Sequence, residues 1–204
     1  MAHDGQDIAM AKPIILGDLL ALTGASIAPV ETLFEAAKAN IRQMVSIDGR
    51  VSGAAIEANQ SAAHGLAWLA TYTESLRQMQ HWATRLNDSG TFGEVEQLLL
   101  QIGFGEYLGQ IQGGILMNQG EIIRPHDLGL SAADIAALLT PAVTTLIAEG
   151  NSQAARTRLV ELMQERSAEI TVGRTGLDDE LEMIRDQFRR FSVDKVEPLS
   201  LIHI

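Results

Sequence analysis

From Val30 onward the apolar residues of this chain recur at steps of three and four, the spacing that places side chains on one face of a helix. Val30, Leu33, Phe34, Ala37, Ile41 and Met44 make the first such stripe, and Asp48-Gly49 ends it with turn chemistry. A second helix is predicted from about Gly53 to Leu86, with Ile56, Leu66, Leu69, Thr73, Leu76, Ala83 and Leu86 on its apolar side. Its ~30 residues rise roughly 45–50 Å, a length suited to a bundle with long side-by-side contacts. Asn87 to Gly90 reads as a loop, followed by Thr91 as N-cap with Glu94 at the capping-box spacing. A third helix is predicted from near Phe92 to about Asn118 on Val95, Leu98, Leu99, Ile102, Leu108, Ile111 and Ile115. Arg124-Pro125 then breaks the pattern.

Shorter helices follow. Ser131 and Asp134 fit a capping box, Thr140-Pro141 an N-cap and first helical residue, and Gly150 a stop. Leu159, Leu162 and Met163 mark a helix reaching about Ser167, and Thr171 to Gly176 reads as a linker. Leu177, Leu181, Ile184, Phe188 and Phe191 step by four and three along a last helix, a seam for packing on neighbouring helices that ends at Pro198. No segment alternates strongly enough to claim a sheet, and no repeat stands out. The expected fold is all-α: an up-and-down helical bundle followed by shorter helices. The expected divisions are a tail at 1–25, a bundle at 26–125, a helical connector at 126–176 and a first helix of a further domain at 177–198. Residues 199–204, Leu-Ser-Leu-Ile-His-Ile, follow abruptly and match one reading frame of a common sequencing adapter, so they are set aside from the fold. A natural apolar tail is the alternative.

Composition narrows the function classes. With 46% hydrophobic and 20% charged residues among 204, the chain is globular rather than disordered. A net charge of -11 with no basic stripe argues against nucleic-acid binding. No uninterrupted apolar run approaches the ~20 residues of a bilayer span, so no membrane span is expected. The start of the chain, Met1 to Lys12, lacks the form of a signal peptide, and a cytoplasmic location is expected. Cysteine is absent, which removes disulfides and thiolate metal sites.

Most catalytic and ligand motifs are missing. No Glu has a His three residues later, as a di-iron bundle needs, and His64, His81 and His126 are scattered. Gly-x-Ser-x-Gly, Gly-x-Gly-x-x-Gly and the P-loop pattern do not occur. Two places remain. The run Gln110-Ile111-Gln112-Gly113-Gly114 would let a phosphate or another backbone come close, and Gly105, Gly109 and Gly113 fall four apart on one face. Each interior glycine costs about 1 kcal/mol against alanine, so close approach by a helix or a ligand is expected there. Arg77 could hold a pyrophosphate by forked hydrogen bonds, or pair with Glu74 three residues before it. Trp68, Tyr72 and Trp82 could line an apolar ligand pocket or belong to the core. Glu106 and Glu121 are acidic helix-surface positions without a supporting partner.

Together these residues resemble the C-terminal helical bundle of flavin-dependent acyl-CoA dehydrogenases. In that family one helix carries Arg-x-x-Phe-Gly and a later helix carries Gln-x-x-Gly-Gly, and both touch the FAD of a neighbouring subunit. Arg77 matches the first motif, and Gln110, Gly113 and Gly114 match the second, over a region of roughly residues 27 to 125. The resemblance thus implies a cofactor-binding set of Arg77, Gln110, Gly113 and Gly114, with FAD as cofactor of the complete enzyme. Gln80-His81 departs from the family's Phe-Gly, and Ile115-Leu116 replaces a further glycine and aromatic. Chain also follows the bundle here, whereas the bundle closes an ordinary member. Leu177 to Pro198 resembles the opening helix of the family's N-terminal helical domain. The resemblance implies an accessory bundle ahead of a dehydrogenase that oxidises an acyl-CoA thioester between its α and β carbons. A glutamate outside this chain would take the α proton and FAD the β hydride. Partners implied are the acyl-CoA substrate, an electron acceptor and further copies in a homo-oligomer. The chain alone completes no chemistry. A non-catalytic helical assembly module is the other reading.

Overall fold

Leu19, Thr23, Ser26, Val30, Leu33, Ala37 and Ile41 are the buried face of the first helix, α1 (Leu19–Met44). In this computed structural model, which describes residues 13–165 and 173–202, α1 begins inside the stretch expected as a tail. The sequence hides that start because two inward positions are polar. Thr23 donates to the Leu19 carbonyl at 2.9 Å and Ser26 to the Thr23 carbonyl at 2.7 Å. Both hydroxyls are satisfied within the helix and can be buried. Pro29 lies inside α1. An interior proline costs about 3 kcal/mol, which core burial on both sides of it offsets. By length and composition α1 could cross a bilayer, but its inward stripe packs into the bundle core.

Asp48-Gly49 does more than end a helix. Both residues have positive φ, 51° and 75°, and they turn a short hairpin of β1 (Ser46–Ile47) and β2 (Arg50–Val51). Two residues of positive φ match the twist of a two-residue hairpin, so Asp-Gly fits there. The long second helix is interrupted once. Ser52 caps α2 (Gly53–Ala58), Asn59 leaves helical geometry, and α3 (Gln60–Asp88) follows. Gly90, at φ 69°, ends α3. Its N–H donates to the Asn87 carbonyl at 3.0 Å, while Thr91 N–H donates to the Leu86 carbonyl at 2.8 Å. That pairing closes the helix C-terminus. Thr91 is therefore spent on the end of α3, and Gly93 stands at the N-cap of α4 (Glu94–Gly113).

α4 was read as running to about Asn118, but it stops at Gly113. Gly114 has φ 137°, and a Cβ on it would lie 2.7 Å from Ile122 Cγ2. Only glycine allows this turn into the second hairpin, β3 (Ile115–Asn118) with β4 (Glu121–Ile123). Ile123 in turn packs over Gly65 of α3, where a Cβ would come within 2.3 Å of Ile123 Cγ1.

α4 is buried on more than one side. Phe104, Leu108 and Ile111 join the main core with α1 and α3, while Val95 and Leu98 pack with Ala155 and Leu162. The latter two belong to α7 (Gln153–Glu165). Between them run a single turn at Pro125–Leu128, α5 (Ala132–Leu138), α6 (Pro141–Thr145) and a wide π-type turn at Leu146–Gly150. The Ser131 capping box forms, with Asp134 N–H reaching Ser131 Oγ at 3.2 Å and Ser131 N–H reaching Asp134 Oδ2 at 2.7 Å. Thr140 caps α6. Leu128, Leu130, Leu138, Val143 and Leu146 sit in the main core, so the stretch expected as a connector packs as part of the bundle. Among the described residues the result is an all-α bundle carrying two small hairpins.

Gln101 shows how this core tolerates a polar side chain. It is fully buried, accepts from Leu16 N–H at 2.9 Å and donates to the Ile14 carbonyl at 2.9 Å. The amide thereby pins the segment ahead of α1 onto α4. Gln101→Leu leaves a backbone donor and acceptor without partners, and a loss of about 2 kcal/mol is expected. Urea unfolding of the variant reads this, and a change within ~0.5 kcal/mol would mean that water replaces the amide.

The described residues from Arg174 onward form a second unit. Asp178 caps α8 (Asp179–Phe191), accepting from Leu181 N–H at 2.9 Å. Leu181, Ile184, Phe188 and Phe191 are all exposed, Phe188 at 72%. The helical run was expected to end at Pro198, yet it continues through a π-type turn at Ser192–Val196 into α9 (Glu197–Ile202). The wide turn precedes the proline, which falls in the first turn of α9, where a missing N–H costs least. The linker and helix end expected over 166–172, and His203 with Ile204, lie outside the described residues.

Candidate functional site

Arg77 projects from the α3 face that meets α1. Its Nε and Nη2 donate to Glu31 Oε1 at 3.0 and 2.7 Å, and Nη1 donates to a Glu74 carboxylate oxygen. Glu74 is held in turn by Gln78 Nε2 at 2.7 Å. The hydrogen bond to Glu31, reinforced by Glu74, pushes the Arg77 pKa up. The Gln78 hydrogen bond, with Arg77, keeps that of Glu74 down. One guanidinium thus serves two carboxylates, and the cluster is net negative. Its side chains are 36–50% exposed, so the pairs are of the surface kind, contributing ~0–1 kcal/mol. The Glu74 pair was foreseen from i,i+3 spacing. Glu31 sits on another helix, where no spacing rule reaches.

Gln110, on α4, meets a different side of α3. Its Oε1 accepts from the Tyr72 hydroxyl at 2.6 Å, and its Nε2 donates to Glu106 Oε1 at 2.6 Å. The other Glu106 oxygen accepts from Asn151 Nδ2 at 2.6 Å. Tyr72 stacks on Tyr107 with ring centroids 4.4 Å apart. Burial, then Tyr107 and Glu106, raises the Tyr72 pKa, so the phenol keeps the proton it donates. Both ends of the Gln110 amide are therefore committed within the chain. Tyr72 and Arg77 are five residues apart, about 140° around a helix. The fold accordingly directs the two motif positions to different neighbours, Arg77 to α1 and Gln110 to Tyr72.

The glycine face divides. Gly105 meets the π-type turn backbone to backbone: a Cβ there would lie 2.7 Å from Asn151 N and 2.8 Å from the Leu146 carbonyl oxygen. Gly150 answers it, since its own Cβ would lie 2.7 Å from the Gln101 carbonyl oxygen. Gly109 and Gly113 have nothing within 4 Å of such a Cβ. Of the candidate set, Arg77 and Gln110 are engaged by intrachain partners, Gly114 is covered by Ile122, and Gly113 is open. As placed, these four do not fit a flavin pyrophosphate. One guanidinium edge and both ends of the amide are already used, and carboxylates stand beside each donor.

The remaining candidates resolve locally. Trp68 donates from its indole N–H to His64 Nε2 at 3.0 Å and meets Tyr72 edge to face. Trp82 packs against the core. Glu121 is near Ser61 and takes Asn118 Nδ2 at 3.0 Å within the second hairpin. Among the described residues no cluster of three or more His, Asp or Glu is placed to hold a metal.

No protein-family model matches the chain. Over 184 residues, 90% of its length, it is 53% identical to (2S)-methylsuccinyl-CoA dehydrogenase of Cereibacter sphaeroides. The chain is similar to an acyl-CoA dehydrogenase. It spans 33% of that enzyme's length. The resemblance carried by Arg77 and the Gln110–Gly114 run is borne out by this likeness. The narrower likeness, to (2S)-methylsuccinyl-CoA dehydrogenase in particular, is borne out by the same identity. In this dehydrogenase-like bundle, sequence reading missed Glu31 and Tyr72 as partners of the motif residues. Both act across helix–helix contacts, which local spacing does not encode.

Proposed function

We propose that this chain is the N-terminal accessory bundle of a flavin-dependent acyl-CoA dehydrogenase, and that it is not catalytic alone. The observation that carries the reading is the 53% identity over 90% of the chain. The complete enzyme would oxidise an acyl-CoA thioester between its α and β carbons, with methylsuccinyl-CoA as substrate, in acetyl-CoA assimilation through ethylmalonyl-CoA. Its FAD and its catalytic base belong to parts of the enzyme outside this chain. An electron acceptor, a homo-oligomeric state and a cytoplasmic location go with the same reading. The bundle at 26–125, with Arg77, Gln110, Gly113 and Gly114, is the counterpart of the family's C-terminal bundle, and 177–198 is the counterpart of its opening helix. The test is to sequence the gene past the codon for Pro198, then express the whole product. Continuation into a flavin domain, visible flavin absorbance and oxidation of methylsuccinyl-CoA with an artificial acceptor are expected. A stop within a few codons would overturn the proposal.

One observation favours a second reading, a helical assembly module: the exposed seam of Leu181, Ile184, Phe188 and Phe191. A flavin-free whole product that still associates through this seam would favour it.

A further inference from the structure

In a bundle that contacts a dinucleotide, the motif guanidinium and amide must offer free donors to phosphate and base. Here the same residue types are spent inside the chain. Arg77 gives Nε and Nη2 to Glu31 and Nη1 to Glu74. Gln110 gives its carbonyl oxygen to Tyr72 and its amide to Glu106. Gly114 carries Ile122 over its Cα. Each donor therefore has a carboxylate beside it: a phosphate at Arg77 would meet Glu31 and Glu74, and one at Gln110 would meet Glu106. Like charges at such range repel, and the displaced carboxylates would lose their own donors. The three residues also have an architectural use. Arg77 joins α3 to α1, Gln110 joins α4 to α3 through Tyr72, and Gly114 lets α4 turn into the second hairpin.

We infer that this bundle binds no flavin, and that Arg77, Gln110 and Gly114 hold its helices and hairpin together instead. The inference rests on the reading of the chain as an acyl-CoA-dehydrogenase-type bundle. It separates this chain from a working flavin-contact bundle that happens to be isolated.

The experiment uses the 204-residue chain. Calorimetric titration with FAD, and with ADP as the pyrophosphate-bearing half, is expected to show no saturable binding at millimolar ligand. Saturable binding of FAD that is lost in Arg77→Ala would overturn the inference. A double-mutant cycle of Arg77→Ala with Glu31→Ala reads the architectural half. Each single variant is expected to lower the melting temperature by about 2–4 °C, and the double variant by no more than either. Strictly additive shifts would mean that the pair clamps nothing and would overturn that half. Arg77→Lys keeps a charge for Glu31 and is expected to restore part of the shift, which guards against a variant that merely folds poorly. Flavin absorbance of the whole gene product tests the proposed function separately: a flavin-free whole product sinks that reading and leaves the titration of this chain to be judged by itself.

Discussion

Phe104→Ala is expected to lower stability by about 3–5 kcal/mol, the cost of emptying a large aromatic site in a packed core. Phe104 is among the largest side chains of the molecule that are fully buried. It sits on α4, the helix that meets α1 and α3 on one side and the π-type turn and α7 on another. Collapse to fill the void would require movement of several helices at once, so the cavity term should be nearly complete. For a chain of this size the loss corresponds to a melting temperature lower by roughly 6–20 °C. Thermal and urea unfolding followed by circular dichroism reads it. A loss below ~1 kcal/mol would mean that α4 is not the hub of the core.

The second large effect distinguishes two glycines that look alike in the sequence. Gly105→Ala would place a methyl 2.7 Å from Asn151 N and 2.8 Å from the Leu146 carbonyl oxygen, both backbone atoms that no rotamer change can move. Separating α4 from the π-type turn would disturb the packing of Phe104, Leu108 and Leu146, at a cost of about 3 kcal/mol. Gly109→Ala meets nothing within 4 Å. Removing a helical glycine there should stabilise the chain by about 1 kcal/mol. Opposite signs at two positions four residues apart are the expected result. A loss at Gly109 equal to that at Gly105 would show that the open part of the face is covered in solution.

Much of the architecture was legible because it depends on local periodicity. The stripes from Val30 to Met44 and from Leu66 to Leu86 are helical faces, and the caps at Ser131 and Thr140 form at the expected residues. The failures share a cause. The start of α1 was hidden by Thr23 and Ser26, whose hydroxyls bond within the helix, so burial there does not follow hydrophobicity. The hairpins at Ser46–Val51 and Ile115–Ile123 were missed because their strands are too short to show alternation: the Asp48-Gly49 turn was in view, but Gly114 fell inside the expected third helix. At the candidate site, spacing revealed the Arg77–Glu74 pair but not Glu31, and it found Gln110 but not Tyr72.

The sequence by itself determined the helical class, the positions of most helices and the likeness to acyl-CoA dehydrogenases, because periodicity, caps and short motifs are properties of neighbouring residues. Only the tertiary structure decided what those motifs do in this chain. Whether Arg77 and Gln110 face a nucleotide or their own helices depends on Glu31, Tyr72 and Glu106. Whether a glycine is a close contact or open surface depends on Leu146, Gly150 and Asn151. Glu106 is one turn before Gln110 on α4, but the others lie on other elements, and packing alone brings them within hydrogen-bond or van der Waals reach.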